Sequence, residues 1–509
     1  MRLILSHQSS NLLHMSKLSK SKIIAYRQCP KRLWLEIHKK EERDDTASQS
    51  VFEIGRQVGE IAQSIYDPNQ AGEMIDIHVL GHQGALERSK ELLNAGTKPI
   101  FEAGFTSEGA LAYADVMIPE NRDDVPTWKM IEVKSSTSLK DYYREDIAIQ
   151  TCIAEAAGIK LSSVSIANID NSFVYQGDGN YQGLFKETDL TAEAKSRSNE
   201  ARQWIATAHE VAALSSEPDI ATGDHCSSPF PCGFLAYCNK GKVFPEFSLD
   251  CLPRLHKKKR QLIEEDGHED LRDVPDELLN KLQNRVKECS STGETFFDAK
   301  GAAKDLAPHG FPAYFLDFET AMFAVPIWKG TRPFQQLPFQ FSLHIVQEND
   351  DLTHHEFLNL SGEDPSYACA AALVRNLGES GPVFAYNAGF ECGVMRKLGE
   401  RFPEFRASLE AIVSRVVDLL PVARSRYYHP SQKGSWSIKK VLPAAIPDLS
   451  YDQLDGVKDG GNAVAAFMEA IQVNTPADRK AEIHQQLSAY CLLDTLAMVR
   501  LWKFFRGFA

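Results

Sequence analysis

The stretch AYFLDFETA, Ala313–Ala321, constrains the fold more than any other, because it is an apolar run with two acids inside it. Strand side chains alternate between faces, so Asp317 and Glu319 project from one side and Phe318 from the other. Burying a carboxylate without a partner is costly. Two on one face repel unless a cation lies between them, and a hard divalent ion such as Mg²⁺ accepts such all-oxygen ligands. An edge strand with two solvated acids satisfies the same text, so the stretch alone leaves both readings open.

Two further pieces join it. VFAYNAGFE ends a short apolar strand and delivers Asn387 and Glu391 just beyond it. AYCLLDTLAMVRLW is a helical pattern in which Tyr490 and Asp494, four apart, share a face. An acid pair on a strand, an acid after a later strand and Tyr-x-x-x-Asp on a late helix resemble the DEDDy branch of the DnaQ-like 3′–5′ exonucleases, which have an RNase H-like fold. The resemblance implies that Asp317, Glu319, Glu391 and Asp494 hold two metal ions and that Tyr490 orients the attacking water. The family usually has Asp where this chain has Glu391, whose longer arm shifts the geometry. Asp418, in VVDLLP, reads as structural.

A second constellation lies earlier. ALAYADVMIP places Asp115 at the end of an apolar strand, and WKMIEVKSS places Glu132 and Lys134 two apart on the next. An Asp followed by E-x-K on an adjacent strand resembles the PD-(D/E)XK nucleases, with a restriction-endonuclease-like fold. The resemblance implies that Asp115, Glu132 and the main-chain carbonyl of Val133 bind metal, while Lys134 positions or deprotonates water. Gln150, on the following helix, stands where RecB-like nucleases carry a glutamine. Two positions depart from that pattern: Ala154 replaces a usual tyrosine, and Gly59, beside Glu60 in GRQVGE, replaces a usual histidine. Glu60 is a substitute ligand or a solvated helix acid. Glu102, on the strand before Asp115, is a further candidate.

Three of the ten cysteines cluster in HCSSPFPCGFLAYC: Cys226, Cys232 and Cys238. Cys29, in YRQCPKRLW, offers a fourth sulfur. Zinc, an iron–sulfur cluster and plain thiols all fit four such residues. A distant N-terminal cysteine plus a C-terminal trio resembles the arrangement in RecB-like nucleases such as the helicase–nuclease subunit AddB and the CRISPR adaptation nucleases. It implies a [4Fe–4S] cluster on Cys29, Cys226, Cys232 and Cys238 that staples the two ends of one domain. The family's first gap within the trio is usually shorter, which makes Cys226 the least typical ligand, with His225 adjacent.

These pieces order the 509 residues. Residues 1–15 read as a tail, with Met15 an alternative start. Residues 16–242 read as the RecB-like domain, 243–308 as a helical connector and 309–509 as the DnaQ-like domain, all of α/β class. The combination resembles a bacterial family of two-nuclease proteins. A net charge of −13 argues against coating nucleic acid by general electrostatics, though not against acid-bound metal ions that engage it. SKLSKSKIIAYRQCPKRLW, with Tyr26 and Trp34, and the basic run His256 to Arg260 are phosphate-contact or base-stacking candidates, or solvated helix faces. No apolar stretch is long enough to span a membrane, and the expected location is the cytoplasm. The expected activity is Mg²⁺- or Mn²⁺-dependent hydrolysis of DNA ends or single strands, in repair or in defence against foreign DNA. A nucleic-acid-binding scaffold with degenerate sites and an RNA-directed exonuclease are the alternatives.

Overall fold

The apolar text around Asp115 folds as a hairpin. Strands β1 (Ile100–Ser107) and β2 (Ala110–Pro119) meet through Glu108 and Gly109, whose φ values of +52° and +77° make the turn that matches strand twist. The computed structural model describes residues 17–44, 49–120 and 125–507; the anticipated tail, residues 1–15, lies outside them. The chain divides into two compact units, Met1–Lys242 with Phe323–Phe334, and Val243–Met322 with Gln335–Ala509.

In the first unit, β2 pairs antiparallel with β3 (Trp128–Lys134), and β3 pairs parallel with β4 (Leu161–Ile169). A parallel pair needs a long crossover, which α4 (Asp141–Ala156) supplies. Strand β5 (Phe185–Asp189) and two-residue strands at Leu18–Ser19 and Glu73–Met74 complete a seven-stranded sheet. The N-terminal helical text breaks into α1 (Lys20–Gln28) and α2 (Pro30–His38). Pro30 has no N–H and disfavours the helical region for its predecessor, so Cys29 is extended, with φ −162° and ψ 120°. Helix α3 (Gln49–Tyr66) lies against β2 and β3. Phe323–Phe334, although it continues from AYFLDFETA, belongs to this unit: Ala324 and Val325 pack with Val58, Ile169 and Leu184.

In the second unit, β6 (Ala313–Ala321), β7 (Leu337–Val346) and β8 (Leu352–Leu358) form an antiparallel meander. Strands β9 (Val383–Ala385) and β10 (Val416–Asp418) extend it in parallel on the far side of β6, giving the order β8-β7-β6-β9-β10. The two faces of β6 differ as its alternation requires. Leu316 and Phe318 enter a core with Phe341 and Leu343 and with residues of α5 (Ser366–Asn376) and α6 (Gly389–Arg401). Phe315, on the other face, meets Trp502 of the 30-residue α9 (Ala477–Arg506), ring centroids 5.5 Å apart. Two shorter helices, α7 (Ile438–Ala445) and α8 (Gly460–Ala470), precede α9. Residues 243–308 are part of this unit. Both units are mixed α/β. No helix among the described residues is long and apolar enough to cross a membrane.

Candidate functional site

Strand β6 sits where the order of the second sheet reverses: β7 and β8 follow it on one side, and β9 and β10 are then added on the other. In open α/β sheets ligands collect beyond the carboxyl ends of the strands at such a point. Asp317 and Glu319 occupy the later half of β6, and Glu391 lies in the first turn of the helix that follows β9. Helix α9 brings Tyr490 and Asp494 over the same face. Oxygens of Asp317, Glu319 and Asp494 all lie within 4.8 Å of one another; among the described residues no other trio of His, Cys, Asp or Glu is so gathered. Glu391 is not in that group, though its charge acts on Asp317, and its Oε2 is buried without a partner.

The electrostatics are those of crowded, buried acids that the single ammonium of Lys439 only partly offsets. Burial, then Asp494, pushes Glu319 up to about 8. Burial also raises Asp494 to about 6, against the hydrogen bond from Tyr451. Asp317 is raised well above the carboxylate range by burial and by Asp494, Glu319 and Glu391. Glu391 rises to about 7 through burial, with Asp418 adding to it. Asp418 accepts from the N–H groups of Asn387 and Leu420, each at 2.9 Å, and so shapes the turn that presents Glu391. That turn holds Asn387 at φ +69°.

Sequence reasoning missed two members of this site. Tyr451 donates to Asp494 Oδ1 at 2.5 Å, and Lys439 Nζ donates to the Tyr490 hydroxyl at 3.1 Å. Both lie far from the acids in the chain, and no local period links them.

In the first unit, Asp115, Glu132, Lys134 and Gln150 do come together. Val133 N–H donates to Asp115 Oδ2 at 2.6 Å. Glu132 Oε1 accepts from Lys134 Nζ and Lys20 Nζ, both at 2.7 Å. Lys20 also donates to Gln150 Oε1 at 3.0 Å and pairs with Asp146 at 3.3 Å, and Gln150 Nε2 donates to Tyr113 O. Lys134 reaches Asp146 Oδ2 at 2.7 Å. Lys20 and Asp146 were not foreseen as members. Burial pulls Asp146 upward, but Lys134 and Lys20 overcome it and hold it below the carboxylate range. Burial lowers the Lys134 ammonium, yet Asp146, Glu132 and Asp115 outweigh it and raise it well above its ordinary value. Asp115 is raised by burial, then by Glu132 and Glu102. Glu132 Oε2 is buried and unpartnered.

Asp115, Val133, Lys134, Glu102 and Gly59 line one cavity of roughly 200 Å³. Glu102 takes φ +56° in mid-strand, between the pairs Phe101↔Val116 and Ala103↔Ala114, which puts it across from Asp115. Glu60 turns away and pairs with Arg56 on an exposed helix face, 57% exposed itself, so it is a solvated helix acid. Ala154 is buried in the core, away from the cavity lining.

Cys29, Cys226, Cys232 and Cys238 line one further cavity with His225, and all four are free thiols. The Gln28 side chain fastens the trio's loop to α1, donating to the carbonyls of His225 and Phe230, each at 2.7 Å. A zinc ion with Zn–S of about 2.3 Å brings sulfurs to about 3.8 Å; no three of these sulfurs lie within 4.8 Å of one another. The basic stretches are partly spoken for. Trp34 is buried and donates from Nε1 to Leu214 O, so it has no face to stack on a base. Arg260 pairs with Asp250 and Glu264.

A family model described as a domain of unknown function (DUF2779) matches residues 314–437. The match includes Asp317, Glu319 and Glu391 and stops short of Lys439, Tyr451, Tyr490 and Asp494. No curated protein matches the chain.

Proposed function

We propose that the chain is a metal-dependent nuclease with two hydrolytic sites, of which the second unit's is a 3′–5′ exonuclease acting on DNA ends or single strands. The observation that carries the reading is the Asp317–Glu319–Asp494 group, oxygens drawn within 4.8 Å from a strand and a helix far apart in sequence. An all-oxygen set suits Mg²⁺ or Mn²⁺, and the unpartnered Oε2 of Glu391, whose charge acts on Asp317, is a further candidate donor. A divalent ion held there supplies Lewis-acid activation and charge neutralisation at a scissile phosphate.

The chain's own groups have separable tasks. Tyr490, one helical turn before Asp494, orients a water at the edge of the acid group. In the first unit, which we assign to the PD-(D/E)XK nucleases, Asp115 and Glu132 are the metal donors, and the orphaned Glu132 Oε2 is what fits such an ion. Lys134 keeps its proton, since Asp146 and Glu132 hold the ammonium charged. In that state it suits donation to a phosphate oxygen or to water. The RNase H-like assignment of the second unit is supported by acids sitting on β6, beside which the strand order reverses from β7 and β8 to β9 and β10. The four cysteines fit an iron–sulfur cluster better than one zinc ion, because their sulfurs are spread around one cavity. That cluster would tie the junction of α1 and α2 to the loop near Lys242.

The test is cleavage of end-labelled single-stranded DNA, duplex DNA and RNA with Mg²⁺ or Mn²⁺, by the wild type, Asp317→Ala and Lys134→Ala. Loss of 3′ trimming in Asp317→Ala and of internal cuts in Lys134→Ala is the expected result. Cleavage that survives in the double variant overturns the site assignment. Glu391, outside the tight group, favours one competing reading, a nucleic-acid-binding scaffold; binding of these substrates without cleavage of any would establish it. Cleavage of RNA alone would reassign the substrate. Iron and inorganic sulfide in equal amounts would support the cluster, and stoichiometric zinc would exclude it.

A further inference from the structure

Lys439 brings a cation to the rim of the acid group in the second unit. Its Nζ donates to the Tyr490 hydroxyl at 3.1 Å and to Lys458 O at 3.0 Å. The same ammonium lies 4.9 Å from the Tyr490 ring centroid and 5.2 Å from that of Tyr451. An ammonium has three protons and no lone pair, and a phenol has one proton and a lone-pair side. The Tyr490 oxygen is thus held from its lone-pair side, and its proton is directed away from Lys439. Tyr490 stands one helical turn before Asp494, and Tyr451 donates to Asp494 Oδ1 at 2.5 Å. The result is two links, Lys439 to Tyr490 and Tyr451 to Asp494, which hold two neighbouring positions of α9 from the same side of the site. Asp494, Tyr490 and Tyr451 are all buried, so a broken link leaves polar atoms that water cannot freely satisfy.

We propose that Lys439 is a positioning residue: its ammonium fixes the Tyr490 hydroxyl, and Tyr451 fixes Asp494, so that both meet the Asp317–Glu319 pair in one arrangement. The kinetic arm of this proposal rests on the nuclease reading above; the structural arm does not. Two other roles for Lys439 make different demands. A lysine that grips the substrate phosphate would act on KM, independently of Tyr490. A lysine that only stands in for a metal ion would weaken metal binding, and removing it would tighten that binding.

The test uses the full chain with Lys439→Met, Lys439→Gln, Lys439→Arg, Tyr490→Phe and the Lys439→Met/Tyr490→Phe pair, each checked for an unchanged melting profile. Under Mn²⁺, Lys439→Met and Lys439→Gln should lower kcat by about 10- to 100-fold, the range for outer-shell partners, with KM within about threefold. The double variant should be no slower than Tyr490→Phe, because the two residues act as one unit. Lys439→Arg, which keeps a charged donor, should recover part of the loss. An additive double variant with raised KM overturns the proposal in favour of a phosphate contact. Unchanged kcat with tighter Mn²⁺ binding overturns it in favour of a stand-in cation. The second readout needs no activity. In protein made with 3-fluorotyrosine, the fluorine NMR resonance missing from Tyr490→Phe belongs to Tyr490. Lys439→Met and Lys439→Gln should shift it in the absence of metal and substrate. An unmoved resonance overturns the proposal, whereas a moved one in a protein that cuts nothing upholds the positioning and removes the nuclease reading.

Discussion

The two acid groups are built on opposite principles. In the first unit, Lys20 and Lys134 reach into the carboxylates, and Glu132 Oε1 accepts from both at 2.7 Å. In the second, Asp317, Glu319, Glu391 and Asp494 crowd together with Lys439 at the rim, and all four are raised. One site has two ammoniums in contact with its carboxylates; the other has one, at its rim, and its acids stay raised. The first is therefore held by ion pairs within the protein, and the second depends more on what it binds.

The largest effect should come from breaking the balanced site. Lys20→Met leaves Glu132 and Asp146 without one of their two ammoniums, and removing one partner of a buried pair costs about 3–5 kcal/mol. The Lys20 side chain is 17% exposed, which places the loss toward the lower end. Hydrogen exchange over residues 128–156 should rise in this variant. An unchanged exchange rate there would mean that Lys134 alone balances the site, and the contrast between the units would shrink.

The unbalanced site should show itself through pH. Glu319 is raised from 4.5 to about 8, so its contribution to stability is fully present below about pH 4.5 and is lost as pH rises through about 8. Metal-free protein should weaken over that window, and Glu319→Gln, which cannot ionise, should weaken less. The gap between the two, read from denaturation midpoints at pH 5 and pH 8, should widen with pH. Asp146 runs the other way: lowered in the fold, it stabilises above pH 3.8 and loses that contribution only in acid. Saturating Mn²⁺ should then narrow the Glu319→Gln gap. An ion at 100 times its Kd stabilises by about 2.7 kcal/mol, and Asp317→Ala should abolish that gain in the second unit. If Asp115→Ala removes as much of the Mn²⁺ effect as Asp317→Ala, the lysines of the first unit do not stand in for the ion.

The parts of these sites that follow a local period were legible in the sequence. Asp317 and Glu319 follow from strand alternation, Glu132 and Lys134 from the same rule, and Tyr490 with Asp494 from helical spacing. Lys20 stands 112 residues before Glu132, and Lys439 stands 51 before Tyr490, and no period reaches that far. Lys20 looked like a phosphate contact because its neighbours are basic; its real neighbours are acids supplied by β3 and α4. The segment Phe323–Phe334 joined the wrong region by continuity. Its apolar residues announce burial without saying beside which strands. The break at Cys29 was open to inference, since the residue before a proline seldom stays helical.

The smallest expected effect tests whether the first site is balanced by lysines because it has too few donors. Gly59 lines the cavity with Asp115 and Glu102, and a Cβ there meets nothing within 4 Å. The position lies within a helix, so replacing glycine gains roughly 0.5–1 kcal/mol of helix stability with alanine, and less with histidine, before any ligand is touched. Gly59→His would also aim an imidazole, a common metal ligand, at the cavity. Mn²⁺ affinity of the first unit should rise about tenfold or less, while Glu102→Gln should lower it by a similar factor and Glu60→Gln should leave it alone. Isothermal titration with the second site silenced by Asp317→Ala reads all three. A Glu60→Gln effect equal to that of Glu102→Gln would show that the cavity, as drawn by Asp115 and Glu102, is not where the ion goes.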